Sequence, residues 1–219
     1  VTPRVVQFEV GLLQNFNYLV ICPETREAAI IDPAFEPDTI LQAAHEVGAS
    51  ITSIWITHTH LDHIEAVPAI AQQTSARVYV HPSEADKLEG THPLALLHDE
   101  MRLLVGASTA RALHTPGHTP GGTCFDLGDA VLTGDVLFIG GCGRSDFPGG
   151  DTRALWESLR RLLTDLPPEY RVYPGHHYGP RPVSSLEEER HENPYLRCRS
   201  FEEFRALREG RTAQVRGKR

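Results

Sequence analysis

Four potential metal ligands crowd into Thr57-His58-Thr59-His60-Leu61-Asp62-His63, where an apolar run gives way to helix-forming residues. Capping a turn would need far fewer. In an extended or turning segment His58 and His60 project to the same side. Asp62 and His63 can then reach a second point a few ångströms away. Imidazole combined with carboxylate suits zinc, iron or manganese at a reactive site with open positions.

Three further segments repeat the placement. In His114-Thr115-Pro116-Gly117-His118-Thr119-Pro120-Gly121 the Pro-Gly pair forces a tight turn that can aim His118 inward, and Gly121 relieves crowding beyond it. His114 is either a supporting partner of that turn or a histidine that merely ends a strand. In Leu132-Thr133-Gly134-Asp135 an apolar strand delivers one carboxylate, and in Tyr173-Pro174-Gly175-His176-His177-Tyr178 another Pro-Gly aims His176. His177 would point the opposite way in an extended segment. His45, His81, His92, His98 and His191 stand in polar surroundings and are expected to be structural or solvated.

The elements that must position these groups follow from hydrophobic period. Strands are expected at 4–9, 17–22, 28–32, 50–57 and 76–81, then at 101–105, 111–114, 123–127, 130–133 and 171–173. Helices are expected at 38–47, 64–73 and 152–163, and Ser184-Ser185-Leu186-Glu187 matches a capping box that starts another. All four ligand-bearing segments fall at the C-terminal ends of strands. They can therefore converge on one edge without any long loop being ordered. Two strand-rich halves, each flanked by helices, suggest an α/β fold of two sheets packed face to face with helices outside.

The chain of 219 residues, 40% hydrophobic, can bury one substantial core. Residues 1–209 are expected to form a single catalytic domain and 210–219 a basic, disordered tail. A net charge of −8 argues against tracking phosphates, so nucleic acid is not the expected partner. The apolar runs are too short to cross a bilayer and no charged-then-apolar leader opens the sequence, so a cytoplasmic protein without a membrane partner is expected. The cysteines, Cys22, Cys124, Cys142 and Cys198, are widely spaced without a C-x-x-C pair, as expected of reduced thiols.

The order His-x-His-x-Asp-His, then His118, Asp135 and His176, resembles the metallo-β-lactamase superfamily over nearly the whole chain. The resemblance implies an αββα sandwich with the site on one edge. It implies His58, His60 and His118 as a first metal site, Asp62, His63 and His176 as a second, and Asp135 as the bridging carboxylate. One or two divalent ions would bind there, zinc first, with iron or manganese as alternatives. Asp135 stands where the antibiotic-hydrolysing zinc lactamases carry a cysteine.

Within the superfamily the sequence is similar to two branches. The stretches 134–138, 143–148 and 150–151, with Val78-Tyr79-Val80-His81-Pro82 and Asn193-Pro194-Tyr195-Leu196, look like short glyoxalase II-like hydrolases. Gly141-Cys142-Gly143-Arg144, the His-x-Tyr of His176 to Tyr178 and the stretch 184–190 also look like persulfide dioxygenases, in which the equivalents of His58, His118 and Asp135 hold one iron. The first branch implies hydrolysis of a glutathione thioester or a similar small acyl substrate by metal-bound hydroxide, with Asp62 or Asp135 orienting the hydroxide or taking its proton. The second implies oxidation of glutathione persulfide to sulfite. Full-length glyoxalase II enzymes grip glutathione with a C-terminal helical domain, for which the residues after His176 are too few. Arg144 and Tyr178 are then the expected contacts to a thiol-derived ligand such as a glutathione conjugate, Arg144 by a bidentate pair and Tyr178 by its hydroxyl.

Overall fold

Residues 15–21, Asn-Phe-Asn-Tyr-Leu-Val-Ile, are buried along their whole length, which a strand achieves only with both of its faces covered. The computed structural model, which describes residues 1–88, 90 and 93–216 and side chains through Gly210, shows what covers them. The first half comprises β1 (Arg4–Val10), β2 (Asn15–Ile21), β3 (Glu27–Ile31), α1 (Pro37–Glu46), β4 (Ser50–Trp55), α2 (Leu61–Ile64), α3 (Val67–Thr74), β5 (Arg77–Val80), a 3-10 turn at Pro82–Leu88 and β6 (Leu94–Leu96). The second comprises β7 (Arg102–Val105), β8 (Ser108–His114), β9 (Thr123–Asp126), β10 (Ala130–Gly134), the ribbon β11 (Leu137–Phe138) and β12 (Gly141–Cys142), α4 (Thr152–Asp165), β13 (Arg171–Pro174), β14 (Ser184–Ser185), α5 (Leu186–Glu192) and α6 (Phe201–Arg216).

Strands β1 to β6 form one sheet in chain order, and the second runs β14-β13-β10-β9-β8-β7. Side-chain alternation sorts the apolar residues into three cores. Leu19 and Ile21 of β2, with Ile30 of β3 and Ile54 of β4, join Ile40 of α1 and Ile70 of α3. Their strand neighbours Phe16, Tyr18, Val20, Ile31 and Trp55 face inward and meet Phe125 and Leu132 of the other sheet. On the far side Cys124, Val131 and Val172 pack under Leu155, Leu159, Leu162 and Leu163 of α4. The result is the expected αββα sandwich. None of the four cysteines forms a disulfide among the described residues, and all four are buried.

Several element boundaries differ from expectation, each for a local reason. The single helix expected at 64–73 is broken into α2 and α3. Pro68 lies in the first turn of α3 and has no N–H to continue a helix, while the N–H of Ala66 turns to the carbonyls of Pro33 and Ala34. The capping box of α5 is Ser185 with Glu188, one residue later than the sequence match. The last helix runs to Arg216, beyond the boundary placed at 209, and 217–219 lie outside the described residues. The short strands β6, β11, β12 and β14 escape a search for alternation. No helix among the described residues is long and apolar enough to cross a membrane.

Strand direction sets the edge on which the loops gather. β3 and β4 are parallel, as are β10 and β13, so their C-terminal ends open together. There the two sheets are stitched by backbone hydrogen bonds: Phe16 N to Gly175 O at 2.9 Å, His177 N to Gln14 O at 2.9 Å and Thr123 N to Thr57 O at 2.9 Å. The outer layers contribute stability more than chemistry. Leu159→Ala in α4, where Leu159 is 1% exposed, is expected to cost about 2–5 kcal/mol, seen as a lower urea midpoint with an unchanged slope.

Candidate metal centre

Each ligand-type side chain leaves the sandwich just past a strand end. His58 and His60 follow β4, and α2 carries Asp62 and His63. His118 sits on the turn after β8, Asp135 follows β10, and His176 follows β13. Close approach at the last two requires glycine. A Cβ on Gly175 would lie 2.3 Å from Asp135 Oδ1, and one on Gly134, whose φ is +47°, would lie 2.5 Å from Thr57 Oγ1. The His118 turn is fastened to α4, since Asp151 N donates to Gly117 O at 2.9 Å and Ser158 Oγ to Pro116 O at 2.7 Å.

The seven residues singled out in the sequence all converge. His60 Nδ1 lies 3.1 Å from both His58 Nε2 and His118 Nε2. His63 Nε2 is 3.2 Å from His176 Nε2, and Asp62 Oδ2 is 3.3 Å from His176 Nε2 and 3.6 Å from His63 Nε2. Between these triads stands Asp135. Its Oδ2 is 3.6 Å from His118 Nε2 and 3.5 Å from His176 Nε2, and its Oδ1 is 3.5 Å from His63 Nε2. Asp135 Oδ1 is buried with no hydrogen-bond partner among the described residues.

For four of the five rings a bond on the far side fixes the tautomer. His118 Nδ1–H donates to Arg144 O at 2.6 Å, and His176 Nδ1–H donates to Leu13 O at 3.0 Å. His63 Nδ1–H donates to Asp32 Oδ2 at 3.0 Å. Thr57 Oγ1 gives its own proton to Asp32 at 2.5 Å, so at 3.0 Å from His58 Nδ1 it accepts. Four Nε2 atoms are thereby left bare and facing the cluster. Bare nitrogens this close repel one another unless a cation lies between them. Donors held about 2.1 Å from a tetrahedral ion stand about 3.4 Å apart, near the separations found.

Without metal, protons can substitute. Burial lowers the pKa of His176, but hydrogen bonds to Asp135 and Asp62 outweigh it and raise the group to about 10. His63 is likewise raised, burial being overcome by the charge of Asp135 and the bond to Asp32. Burial pushes His58 well down and lowers His60. Asp135 and Asp62 are lowered, because the surrounding histidines overcome the upward effect of burial.

Three groups of residues could hold an ion among those described: His58, His60, His118; Asp62, His63, His176; and Asp32, His58, His63. The third is a supporting set. His63 meets Asp32 through Nδ1, and both Asp32 oxygens are committed to Thr57, whose N–H donates at 2.7 Å. Asp32 was not singled out from the sequence. Its one signal is a carboxylate directly after an apolar strand, the placement also found at Asp135. Asn15 was likewise unforeseen; its amide donates to Asp62 O at 2.8 Å and to Asp62 Oδ2 at 3.2 Å.

Arg144 and Tyr178 are placed differently from each other. The Arg144 fork is already engaged by Asp146, Nε to Oδ1 at 2.9 Å and Nη2 to Oδ2 at 2.8 Å, and lies over the Phe147 ring at 4.3 Å. That hydrogen bond holds Asp146 down at about 2. The exposed Tyr178 ring stacks on His176, centroids 4.5 Å apart and planes 7° from parallel. His114 supports a turn rather than a ligand ring: its Nε2 meets Pro120 O at 2.9 Å, and it stacks on a partly buried His81 at 4.2 Å. His81 is thus not simply solvated. His177 turns away to Glu9 Oε2 at 2.9 Å, His45, His98 and His191 are exposed, and His92 lies outside the described residues.

A sandwich of this topology, with such a cluster on its edge, defines a class, and the chain belongs to it: the sequence model of the metallo-beta-lactamase superfamily matches residues 10–176. The hydroxyacylglutathione hydrolase of Nitrosococcus oceani is 38% identical over 75% of this chain and 63% of its own length. The human mitochondrial persulfide dioxygenase ETHE1 is 35% identical over 87% of this chain and 74% of its own. The crystal structure of ETHE1 from Myxococcus xanthus superposes with a TM-score of 0.86 at 36% identity, covering 94% of this chain and 90% of that one.

Asp32→Asn should expose how far the cluster depends on its support. The amide keeps the shape but cannot accept from Thr57 N–H, Thr57 Oγ–H and His63 Nδ1–H together. Metal affinity, read by competition with a chromogenic chelator, is expected to fall 10- to 100-fold.

Proposed function

We propose that this protein is a metal-dependent hydrolase of glutathione thioesters or similar small acyl substrates. The observation that carries the reading is the pair of complete ligand triads facing each other across Asp135. His58, His60 and His118 would hold one divalent cation, zinc first with iron or manganese as alternatives. Asp62, His63 and His176 would hold a second, with Asp135 between them. When bound, such ions polarise an acyl oxygen and lower the pKa of a coordinated water to about 7.

The chain's own residues supply the rest. Asp62, half-buried and steadied by Asn15, is placed to orient the attacking water and take its proton. The bonds from His118 to Arg144 O and from His176 to Leu13 O keep the imidazoles aimed while charge develops. Tyr178, exposed beside His176, offers its hydroxyl to a glutathione arm. Arg144 can meet a glutathione carboxylate only by giving up Asp146, so in this reading it exchanges one bidentate partner for another.

A second reading is favoured by one observation: the likeness to the Myxococcus xanthus structure spans nearly the whole of both chains. In that reading His58, His118 and Asp135 hold a single iron, and the protein is a persulfide dioxygenase. Metal content per chain, thiol release from S-lactoylglutathione, and oxygen uptake with sulfite formation from glutathione persulfide separate the two. Thiol release with two ions per chain is expected. Oxygen uptake by the iron form, with S-lactoylglutathione untouched under every metal tried, would replace the first reading by the second.

Two variants test the ligand assignment. His118→Ala is expected to lose metal and nearly all turnover, measured by elemental analysis and rate. Asp135→Asn should lower the rate far more than it changes thermal unfolding of the metal-free protein. A large shift in unfolding with the rate intact would make Asp135 structural.

A further inference from the structure

Glu84 lies in the 3-10 turn Pro82–Leu88, outside the cluster, yet it is a carboxylate only 2% exposed. Its two oxygens face different loops. Oε2 accepts from Thr59 N at 3.2 Å and from Thr59 Oγ1, while Oε1 accepts from Gly121 N at 3.0 Å. Thr59 stands between His58 and His60, and Gly121 closes the turn that carries His118. One side chain from a third segment therefore ties together the two loops that supply the first triad. The approach is close by construction, because a Cβ on Gly121 would lie 2.4 Å from Glu84 Cγ.

Burial favours the neutral acid, but side-chain hydrogen bonds from the neighbouring threonines and the backbone bond from Gly121 outweigh it, so the pKa is lowered and the group stays ionised. Lys87 Nζ, half-exposed, is 3.8 Å from Oε2 and contributes least among these causes. The chemistry of the pair of loops demands a carboxylate. Both present N–H groups, and only a carboxylate offers acceptors on both sides. A glutamine must turn its NH₂ toward one of them, leaving a buried donor facing a donor.

We propose that Glu84 is a positioning residue of the His58, His60, His118 triad: by clamping Thr59 and Gly121 it sets the spacing of the three nitrogens, and with it the affinity of that triad for a metal ion, while touching none of them. The proposal rests on reading the triad as a metal site, and the experiment keeps the two apart. Zn²⁺ affinity and stoichiometry are measured by chelator competition on the purified wild type, Glu84→Gln and Thr59→Val, with thermal unfolding of each metal-free form.

Glu84→Gln is expected to weaken the affected ion 10- to 100-fold. Thr59→Val, which removes one donor and keeps the carboxylate, should shift affinity the same way by a smaller factor, and it decides the matter if Glu84→Gln does not fold. A merely structural clamp would lower the unfolding temperature of the metal-free protein and leave the affinity of the folded variant within twofold of wild type; that result overturns the proposal. A wild type that binds no Zn²⁺ overturns the metal reading along with it.

Discussion

Everything in the cluster depends on a division of labour within four of its five imidazoles, those of His58, His63, His118 and His176. One nitrogen is bound to a carbonyl, hydroxyl or carboxylate so that the other is left bare. A bare, buried nitrogen is costly on its own, and several set within about 3 Å of one another are costlier still. The cost is tolerable because the buried carboxylates Asp32 and Asp135 and the half-buried Asp62 hold compensating charge nearby. Protons on His63 and His176 can use that charge in the absence of metal, and a cation uses it better.

The sandwich exists in this form because that arrangement needs both sheets. Asp32 and the loop from Thr57 to His63 come from the first sheet, while His118, Asp135 and His176 come from the second. The residues sort themselves by alternation: small or apolar side chains fill three cores, and the ligand-type side chains stand just past the strand ends. Backbone hydrogen bonds between Phe16 and Gly175 and between Thr123 and Thr57 hold the strand ends in register, so the ligand loops need little length of their own.

What the sequence made legible was local. A histidine after Pro-Gly, or four ligands inside one turn, carries its meaning within a few residues, and all six of those groups are brought together with Asp135. The strands were legible because β2, β3, β4, β9 and β10 are short apolar runs, buried for most of their length, and the family resemblance supplied their αββα order. Asp32 and Glu84 were not legible, since their partners lie 25 to 37 positions away and nothing adjacent marks them. The break between α2 and α3 was missed because a periodic apolar face masked the effect of Pro68. Arg144 hid a second part that its side chain does not announce: its carbonyl holds His118.

The His63 and His176 rings are separated by 113 positions in the chain but meet across the seam between the sheets. An ion shared by them is therefore a reversible cross-link as well as a reagent. Closing a loop of about a hundred residues restricts an unfolded chain by about 4–5 kcal/mol in the chain-entropy relation used for disulfides. Bonds to such an ion would fasten one half of the molecule to the other, so the metal-free chain would be easier to pull apart than the metal-loaded one.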